Sequence, residues 1–113
     1  MKSVYLANKV LNSYKNNMYL AMFDKSPEEG GMQLNNVRPK VEFSTPQDGV
    51  ISNTAKVECQ TTNQNLNTAR WIVFYDSATG GNVLLSFVLS TPISFSSSAP
   101  ISFSEKSIVI KEG

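Results

Sequence analysis

The sequence contains no histidine, and this absence removes several kinds of catalytic site. Histidine is the usual general base near neutral pH, the usual partner of serine and cysteine nucleophiles, and a common zinc ligand. Among the nine acidic residues only Glu28 and Glu29 are adjacent. A glycosidase needs two carboxylates held rigidly about 5–10 Å apart, which this distribution does not indicate. We therefore predict no catalytic residues and expect that the protein is not an enzyme.

Cysteine is nearly absent as well. A single residue, Cys59, excludes an intramolecular disulfide bond. It lies in the alternating segment 55–60, in which Ala55, Val57 and Cys59 share one face. We expect that face to point inward, so that Cys59 is a small buried side chain rather than a reactive thiol. No metal and no cofactor are predicted.

The sequence also lacks a strong charge and a long apolar run. Its net charge is +1, and its ten basic residues are scattered. This balance gives no field that would attract nucleic acid or an anionic membrane. No apolar run reaches the roughly 18 residues of a membrane span, and asparagines interrupt what would be a signal peptide. We expect a protein made in the cytoplasm that neither binds nucleic acid nor spans a membrane.

The length of 113 residues is typical of one domain, 1–113. Such a chain buries about two-thirds of its unfolded surface, which is enough for a core without disulfide bonds or metals. We expect residues 1–16 to form a helix and residues 17–113 to form a β-sandwich. The helix is predicted to be amphipathic because four apolar residues recur at helical spacing: Val4, Ala7, Leu11 and Tyr14.

Short segments of β-branched, aromatic and alternating residues follow, separated by turn residues every 8–12 positions. This pattern is typical of an antiparallel sandwich or barrel. Of these two architectures we predict the sandwich: a mainly β protein with an antiparallel β-sandwich of about seven short strands, preceded by the N-terminal amphipathic helix. Residues 70–75 are rich in β-branched and aromatic residues, and residues 83–89 are apolar on both faces. We expect these two segments to be the central pair of the sheet. The predicted strands are residues 18–23, 38–44, 55–60, 70–75, 83–89, 92–96, 100–104 and 107–111.

The segment YDSATGGNVL, residues 75–84, has the composition of a ligand-binding loop. A phosphate loop needs a helix after its glycines, and here a strand follows without a lysine. A calcium site needs more oxygen ligands than Asp76, Ser77 and Thr79 offer, and it needs aspartates at regular intervals. We therefore predict a hairpin turn in which Gly80 and Gly81 have positive φ and either Asp76 or Ser77 caps the turn by bonding to nearby backbone. We term Asp76, Gly80, Gly81 and Asn82 the hairpin turn marker of the sequence.

The segment 26–36 reads SPEEGGMQLNN and contains proline, paired glycines and paired asparagines. We expect a mobile loop. It can be a contact segment that orders on assembly, or equally a solvated surface loop. The residues of this possible assembly loop are Glu28, Glu29, Gly30, Gly31 and Met32.

These motifs occur in a recognisable order. The chain reads ARWIVFYD at residues 69–76 and SATGGNVL at residues 77–84, followed by a strand and a hydroxyl-rich alternating tail. Its first half has a helix, a strand at 18–23 that ends in DKSP, a glycine-rich loop and then VEF at residues 41–43. This order resembles the small tailed-bacteriophage virion proteins known as tail fibre or minor tail proteins.

The resemblance implies a non-enzymatic virion component, made in the host bacterial cytoplasm, that assembles with other virion proteins and forms a homo-oligomer. It does not distinguish tail, neck and head, so a head or neck decoration or head-fibre protein stays an alternative. The second hypothesis is a jelly-roll module that binds a carbohydrate or host receptor. Aromatic residues such as Tyr5, Tyr19 or Trp71 could stack on sugars, although we expect Trp71 in the core.

Overall fold

The computed structural model describes residues 3–35, 37–60, 68–94 and 100–112. Within them the chain forms one N-terminal helix and seven strands, and every strand pairing is antiparallel. The predicted mainly β, antiparallel fold with a single N-terminal helix is confirmed. The elements are α1 (Val4–Tyr14), β1 (Tyr19–Phe23), β2 (Val50–Ser52), β3 (Val57–Cys59), β4 (Thr68–Tyr75), β5 (Val83–Ser94), β6 (Ile101–Phe103) and β7 (Val109–Lys111).

The larger layer is a three-stranded sheet in the order β1-β4-β5. The central strand β4 has the β-branched and aromatic residues that favour a half-buried pleated surface. Leu20 pairs with Phe74 on the inner face of the sheet, and Ala21 pairs with Val73 on the outer face. All four side chains are buried, so both faces of the β1-β4 pair exclude water.

The second layer consists of two ribbons, β2 with β7 and β3 with β6. Their inward side chains join the inner face of the three-stranded sheet in one apolar cluster. This two-layer arrangement is the packing expected of a sandwich. The cluster includes Leu11, Met18, Leu20, Met22, Leu34, Val41, Phe43, Ile51, Val57, Cys59, Ala69, Ile72, Phe74, Ile108 and Ile110.

Helix α1 packs against the ribbon of β2 and β7. Ser3 caps it, since its hydroxyl accepts a hydrogen bond from the main-chain N–H of Leu6 over 3.1 Å. Leu11 is buried in the shared core. At the end of the helix the Tyr14 hydroxyl donates to a carboxylate oxygen of Glu112 over 3.1 Å. Desolvation, followed by this hydrogen bond and the negative charge of Glu112, raises the pKa of Tyr14 well above its ordinary value.

The predicted strand at residues 38–44 is not a continuous strand. Lys40 forms an isolated bridge with Tyr19, and Phe43 forms another with Asn53. Pro39 lacks an N–H group and cannot complete a ladder with β1. The alternation of apolar and polar residues in this segment nevertheless predicts the buried positions correctly, because Val41 and Phe43 both point into the core. The segment crosses from one layer to the other instead of staying in one sheet.

Three further predictions need correction. β5 is not part of a central pair, because β4 alone occupies the centre and β5 is the last strand of its sheet. Ala55 is exposed, although Val57 and Cys59 face inward as predicted. Trp71 is half-buried and packs on the outer face of the sheet with Ala21, Phe23 and Val73 rather than in the main core.

The predicted strand 92–96 is not a separate element, because residues 92–94 continue β5. Residues 95–99 and the polar connection at 61–67 lie outside the described residues. A strand that the sequence did not predict, β2, follows a tight turn at Gln47–Val50. Asp48 and Gly49 have φ values of 53° and 74° there, as the primed hairpin turns require.

Candidate assembly site

Asp76 closes the connection between β4 and β5. Its main-chain N–H donates to the carbonyl oxygen of Asn82 over 3.1 Å. Its carboxylate atom Oδ1 accepts from the main-chain N–H of Asn82 over 2.8 Å, and Oδ2 accepts from the Asn82 side-chain amide over 3.3 Å. The Ser77 hydroxyl donates to the carbonyl oxygen of Thr79 over 2.9 Å. Both carboxylate oxygens are therefore occupied within the loop.

These hydrogen bonds lower the pKa of Asp76, first through the main-chain N–H of Asn82 and then through its side-chain amide. Both donors favour the ionised carboxylate. The stabilisation is therefore present at neutral pH and is lost as the pH falls below the ordinary carboxyl range near 3.9. Among the residues that the structure describes, no cluster of three His, Cys, Asp or Glu side chains could hold a metal ion.

The two glycines of this loop differ in what they require. Gly80 and Gly81 have φ values of 60° and 75°, a region that other residues enter at a cost. A Cβ atom on Gly80 would meet open space. A Cβ atom on Gly81 would lie 2.5 Å from Oδ1 of Asp76 and 2.8 Å from Cβ of Ser77. Gly81 is thus needed for both its backbone conformation and its lack of a side chain.

Arg38 connects this loop to another part of the chain, a role that the sequence did not reveal. Its Nη1 atom donates to the carbonyl oxygens of Ser77 and Gly80 over 3.1 and 2.7 Å. Its Nε atom donates to the Gln33 side chain over 3.0 Å. The guanidinium carbon lies 3.6 Å from the centre of the Tyr75 ring, which is a cation–π contact. The only sequence signal was an arginine beside a proline within a polar segment.

The segment 26–35 has more structure than the mobile loop expected from its composition. Residues Pro27–Glu29 form a 3₁₀ turn, which Ser26 caps by accepting from the N–H of Glu28 over 3.3 Å. Gly31 donates back to the carbonyl oxygen of Ser26 over 3.0 Å. A Cβ atom on Gly31 would collide with the carbonyl oxygen of Lys25. The path of the loop therefore depends on glycine at this position.

The outer part of that segment faces solvent. The side chains of Glu28, Glu29 and Met32 are exposed. At its base, Asp24 accepts from the N–H of Met32 over 2.7 Å. Asp24 comes directly after the last residue of β1, Phe23. Asp76 comes directly after the last residue of β4, Tyr75, which pairs with the first residue of β1, Tyr19. The two predicted sites thus lie beyond opposite ends of β1, a strand about 14 Å long.

Asn35 fixes the far end of the segment and is 2% exposed. Its Oδ1 atom accepts from the main-chain N–H of Met22 over 2.9 Å. Its Nδ2 atom donates to the carbonyl oxygens of Leu20 and Val37 over 3.0 and 2.9 Å. The side chain therefore pairs with β1 main-chain groups that would otherwise lack a partner. The sequence had instead predicted that this asparagine lies in a mobile loop.

Residues 33–35 and 37–40 cover one edge of the three-stranded sheet. Gln33 bridges Phe23, and Lys40 bridges Tyr19. Main-chain hydrogen bonds run from Leu34 to Met22 over 2.8 Å and from Leu20 to Pro39 over 2.9 Å. Together with Asn35, these contacts pair both ends and the middle of β1. The edge of the sheet at β1 is therefore closed.

The other edge of the sheet is strand β5, and it has no such cover. Among the described residues, no strand or bridge pairs with its outer side. Its apolar side chains are unusually exposed: Val83 is 47%, Phe87 41% and Val88 66% accessible to solvent. Leu85, Leu89 and Ile93 pack only partly against the core. The apolar edge formed by residues 83–88 is termed the β5 edge below.

The comparisons with known proteins agree with the motifs described above. A family model with the description Podophage GP4 fiber I protein gp80 matches residues 1–111. Neither the comparison with curated proteins nor the comparison with solved structures finds a match. No helix within the described residues is long and apolar enough to cross a membrane.

Proposed function

Because the chain belongs to the podophage GP4 fiber I protein family, we propose that it is a non-enzymatic subunit of a tailed-phage fibre, built into the particle by protein–protein contacts. The family is one of structural fibre proteins of the virion. The match over residues 1–111 is the observation that carries the proposal. The protein is made in the host cytoplasm and then joins other virion proteins as a homo-oligomer.

The exposed apolar residues support assembly as the mode of action. Val4, Tyr5 and Leu6 at the start of α1 are exposed, as is the β5 edge. Contiguous exposed apolar surface in a soluble protein often marks a contact with another protein. The segment around Met32 is a third candidate contact, since its tip is exposed while its base is fixed by hydrogen bonds.

The proposal is tested on phage particles purified by density gradient. Mass spectrometry should detect the chain in intact particles, and immunogold electron microscopy with an antibody against it should label a fibre. A phage protein that is not part of the virion serves as the control and should be absent. Labelling of the head or neck would assign the chain to a head fibre or decoration protein instead. Absence of the chain from washed particles would refute a structural role.

A second candidate function is recognition of a host glycan or receptor. Trp71 is half-buried on the outer face of the sheet, and an open depression at the same end is lined by Asp24, Lys25, Thr68 and Arg70. An aromatic ring beside charged and hydroxyl groups is a common arrangement for sugar binding. A glycan array should then show binding by the full chain that Arg70→Ala removes and Lys111→Ala retains. No binding to any glycan on the array would argue against it.

A further inference from the structure

Strand β5 combines three properties that seldom occur together at a free sheet edge. It is the longest strand, with 12 residues, and it contains no charged side chain. Residues 83–91 also contain no proline. Free edges in natural proteins are usually short or protected by lysine, proline or a covering segment. The opposite edge of this sheet follows that rule, because residues 33–35 and 37–40 cover β1.

The regular part of this edge is limited on both sides. Val88 pairs with Trp71, but Ile93 pairs with Ala69, so the residues between Val88 and Ile93 leave the ladder. Pro92 lies in that bulge and has no N–H group to donate. At the other end Leu85 pairs with Phe74 while Val83 pairs with Tyr75, which leaves one extra residue on β5. Residues 85–88 are therefore the regular part of the β5 edge and the stretch that can accept another strand.

We infer that the β5 edge of one copy pairs with the β5 edge of a second copy, so that two three-stranded sheets continue as one sheet of six strands. The inference rests on the proposed function, since it specifies how fibre subunits contact one another. Three observations select a second copy as the partner. Among the described residues, the covered β1 edge leaves β5 as the available edge of the three-stranded sheet. The β5 edge has no charge that would repel its own copy, and it has apolar side chains on both faces.

The symmetry of this contact follows from its chemistry. Two identical edges that meet side by side are related by a two-fold axis, and their strands run antiparallel. The axis passes near the middle of the β5 edge, so the residue at that point lies opposite its own copy. Ser86 is within one position of the middle, and its side chain is exposed opposite Val73 on the outer face. A charge at Ser86 would thus meet a like charge across the axis.

The test uses the full chain and two oppositely charged variants, Ser86→Lys and Ser86→Glu. Sedimentation velocity and light scattering should give the native chain a mass of at least twice 12.4 kDa. Each variant alone should dissociate, with its dissociation constant raised about tenfold or more by the like charges. An equimolar mixture of the two variants should associate again, because opposite charges then face each other. Ser102→Lys, an exposed serine in the middle of β6, is the matched control and should associate like the native chain.

Circular dichroism melting separates loss of pairing from loss of folding, and both variants should retain a folded spectrum. A native chain that remains a monomer at the highest attainable concentration would overturn the inference. Retention of the oligomer in both Ser86 variants would also overturn it. Either result is independent of the proposed function, because detection in purified particles would still hold if a different virion protein covered the edge. Failure of the chain to enter particles would refute the fibre role without altering the masses measured in solution.

Discussion

Two asparagine side chains, Asn35 and Asn53, take the place of main-chain partners inside the protein. Asn53 is fully buried, and its Oδ1 atom accepts from the N–H of Ile108 over 2.8 Å. Its Nδ2 atom donates to the carbonyl oxygens of Ala55 and Ser104, each over 2.9 Å. The side chain therefore links the turn after β2 with both ends of the connection between β6 and β7. Buried main-chain groups are costly to leave unpaired, so each asparagine contributes more to the stability of the fold than its size suggests.

The substitution Asn53→Ala should lower the free energy of unfolding by about 2–3 kcal/mol, since it removes the partner of the buried Ile108 N–H and the donor to the Ala55 carbonyl. The Ser104 carbonyl keeps its hydrogen bonds from Ser107. Urea denaturation monitored by circular dichroism measures the change. Asn12→Ala removes an exposed asparagine from α1 and should change stability by less than about 0.5 kcal/mol. Equal effects of the two substitutions would show that the hydrogen bonds of Asn53 contribute nothing.

Because of Cys59, the free energy of unfolding depends on pH in the alkaline range. Burial raises the pKa of its thiol to about 12, whereas an unfolded thiol ionises near 8.5. The folded chain therefore holds the proton over a range in which the unfolded chain loses it. The contribution is fully present below about pH 8.5 and is lost progressively as the pH rises toward 12.

Comparison with Cys59→Ala isolates this effect. The stability advantage of the native chain over the variant should shrink by about 1–2 kcal/mol between about pH 7 and pH 10. Chemical denaturation at each pH gives the two free energies of unfolding. The difference should stay constant between about pH 5 and pH 7, where the thiol is protonated in both states. A difference that does not change up to pH 10 would mean that the folded thiol ionises as easily as the unfolded one.

The loop chemistry shows which site features a sequence can reveal. Asp76, Gly81 and Asn82 could be predicted because their contacts span at most six residues. Arg38 could not, since its partners Ser77 and Gly80 lie 39 and 42 positions away. Asn35 was missed for a related reason. A polar residue is assigned to a loop by composition, whereas its burial is decided by how the chain passes over β1.

At the scale of elements, helix α1 depends on its contact with the β layers. Its asparagines give it a modest intrinsic preference for helix, and an isolated helix of 11 residues is marginal in water. Leu11 supplies burial in the main core, and Asn8 accepts from the N–H of Gly49 over 2.8 Å. The helix is thus held at the tight turn before β2 and along the core beside it.

Leu11→Ala should lower the free energy of unfolding by about 2–5 kcal/mol, the usual cost of truncating a buried leucine. Leu6→Ala is the matched control in the same helix, because Leu6 is 44% exposed. It should cost less than about 1 kcal/mol. Thermal or urea melting of both variants provides the comparison. A small effect at Leu11 would mean that the helix adds little to the core.

The strands show why the sequence predicted some elements and not others. β4 was identified with nearly its observed bounds because six of its eight residues are β-branched or aromatic, which suffices to define a strand. β2 has three residues and no alternation long enough to recognise. β5 was recognised as a strand, but its place in the sheet was wrong. Apolar residues on both faces usually indicate a central strand, and here they lie at an uncovered edge.

For the whole molecule, the main core joins α1, both ribbons and the three-stranded sheet. Leu11 of the helix lies in the same cluster as Ile51, Cys59 and Phe74. We therefore propose that residues 1–113 form one cooperative domain. Urea transitions followed by far-ultraviolet and near-ultraviolet circular dichroism should coincide. An earlier loss of the helical signal would separate residues 1–16 from the rest.

The charge distribution of the whole molecule leads to a prediction about salt. The net charge is +1, and the β5 edge contains no charged residue. Self-association through this edge should change less than about threefold between about 0.05 and 0.5 M NaCl, because there are no ion pairs to screen. The mixture of Ser86→Lys and Ser86→Glu should instead weaken as salt is raised. A steep salt dependence of the native chain would assign the contact to a charged surface elsewhere.

The position of Trp71 has a practical consequence. It is the single tryptophan of the chain, and its backbone neighbours across the sheet are Phe23 on β1 and Val88 on β5. A strand added beyond β5 would lie about 10 Å from it, two strand spacings away. The protein thus carries one intrinsic fluorophore close to the proposed contact. Its emission and anisotropy can follow assembly, subunit exchange and capture by a partner without any attached label.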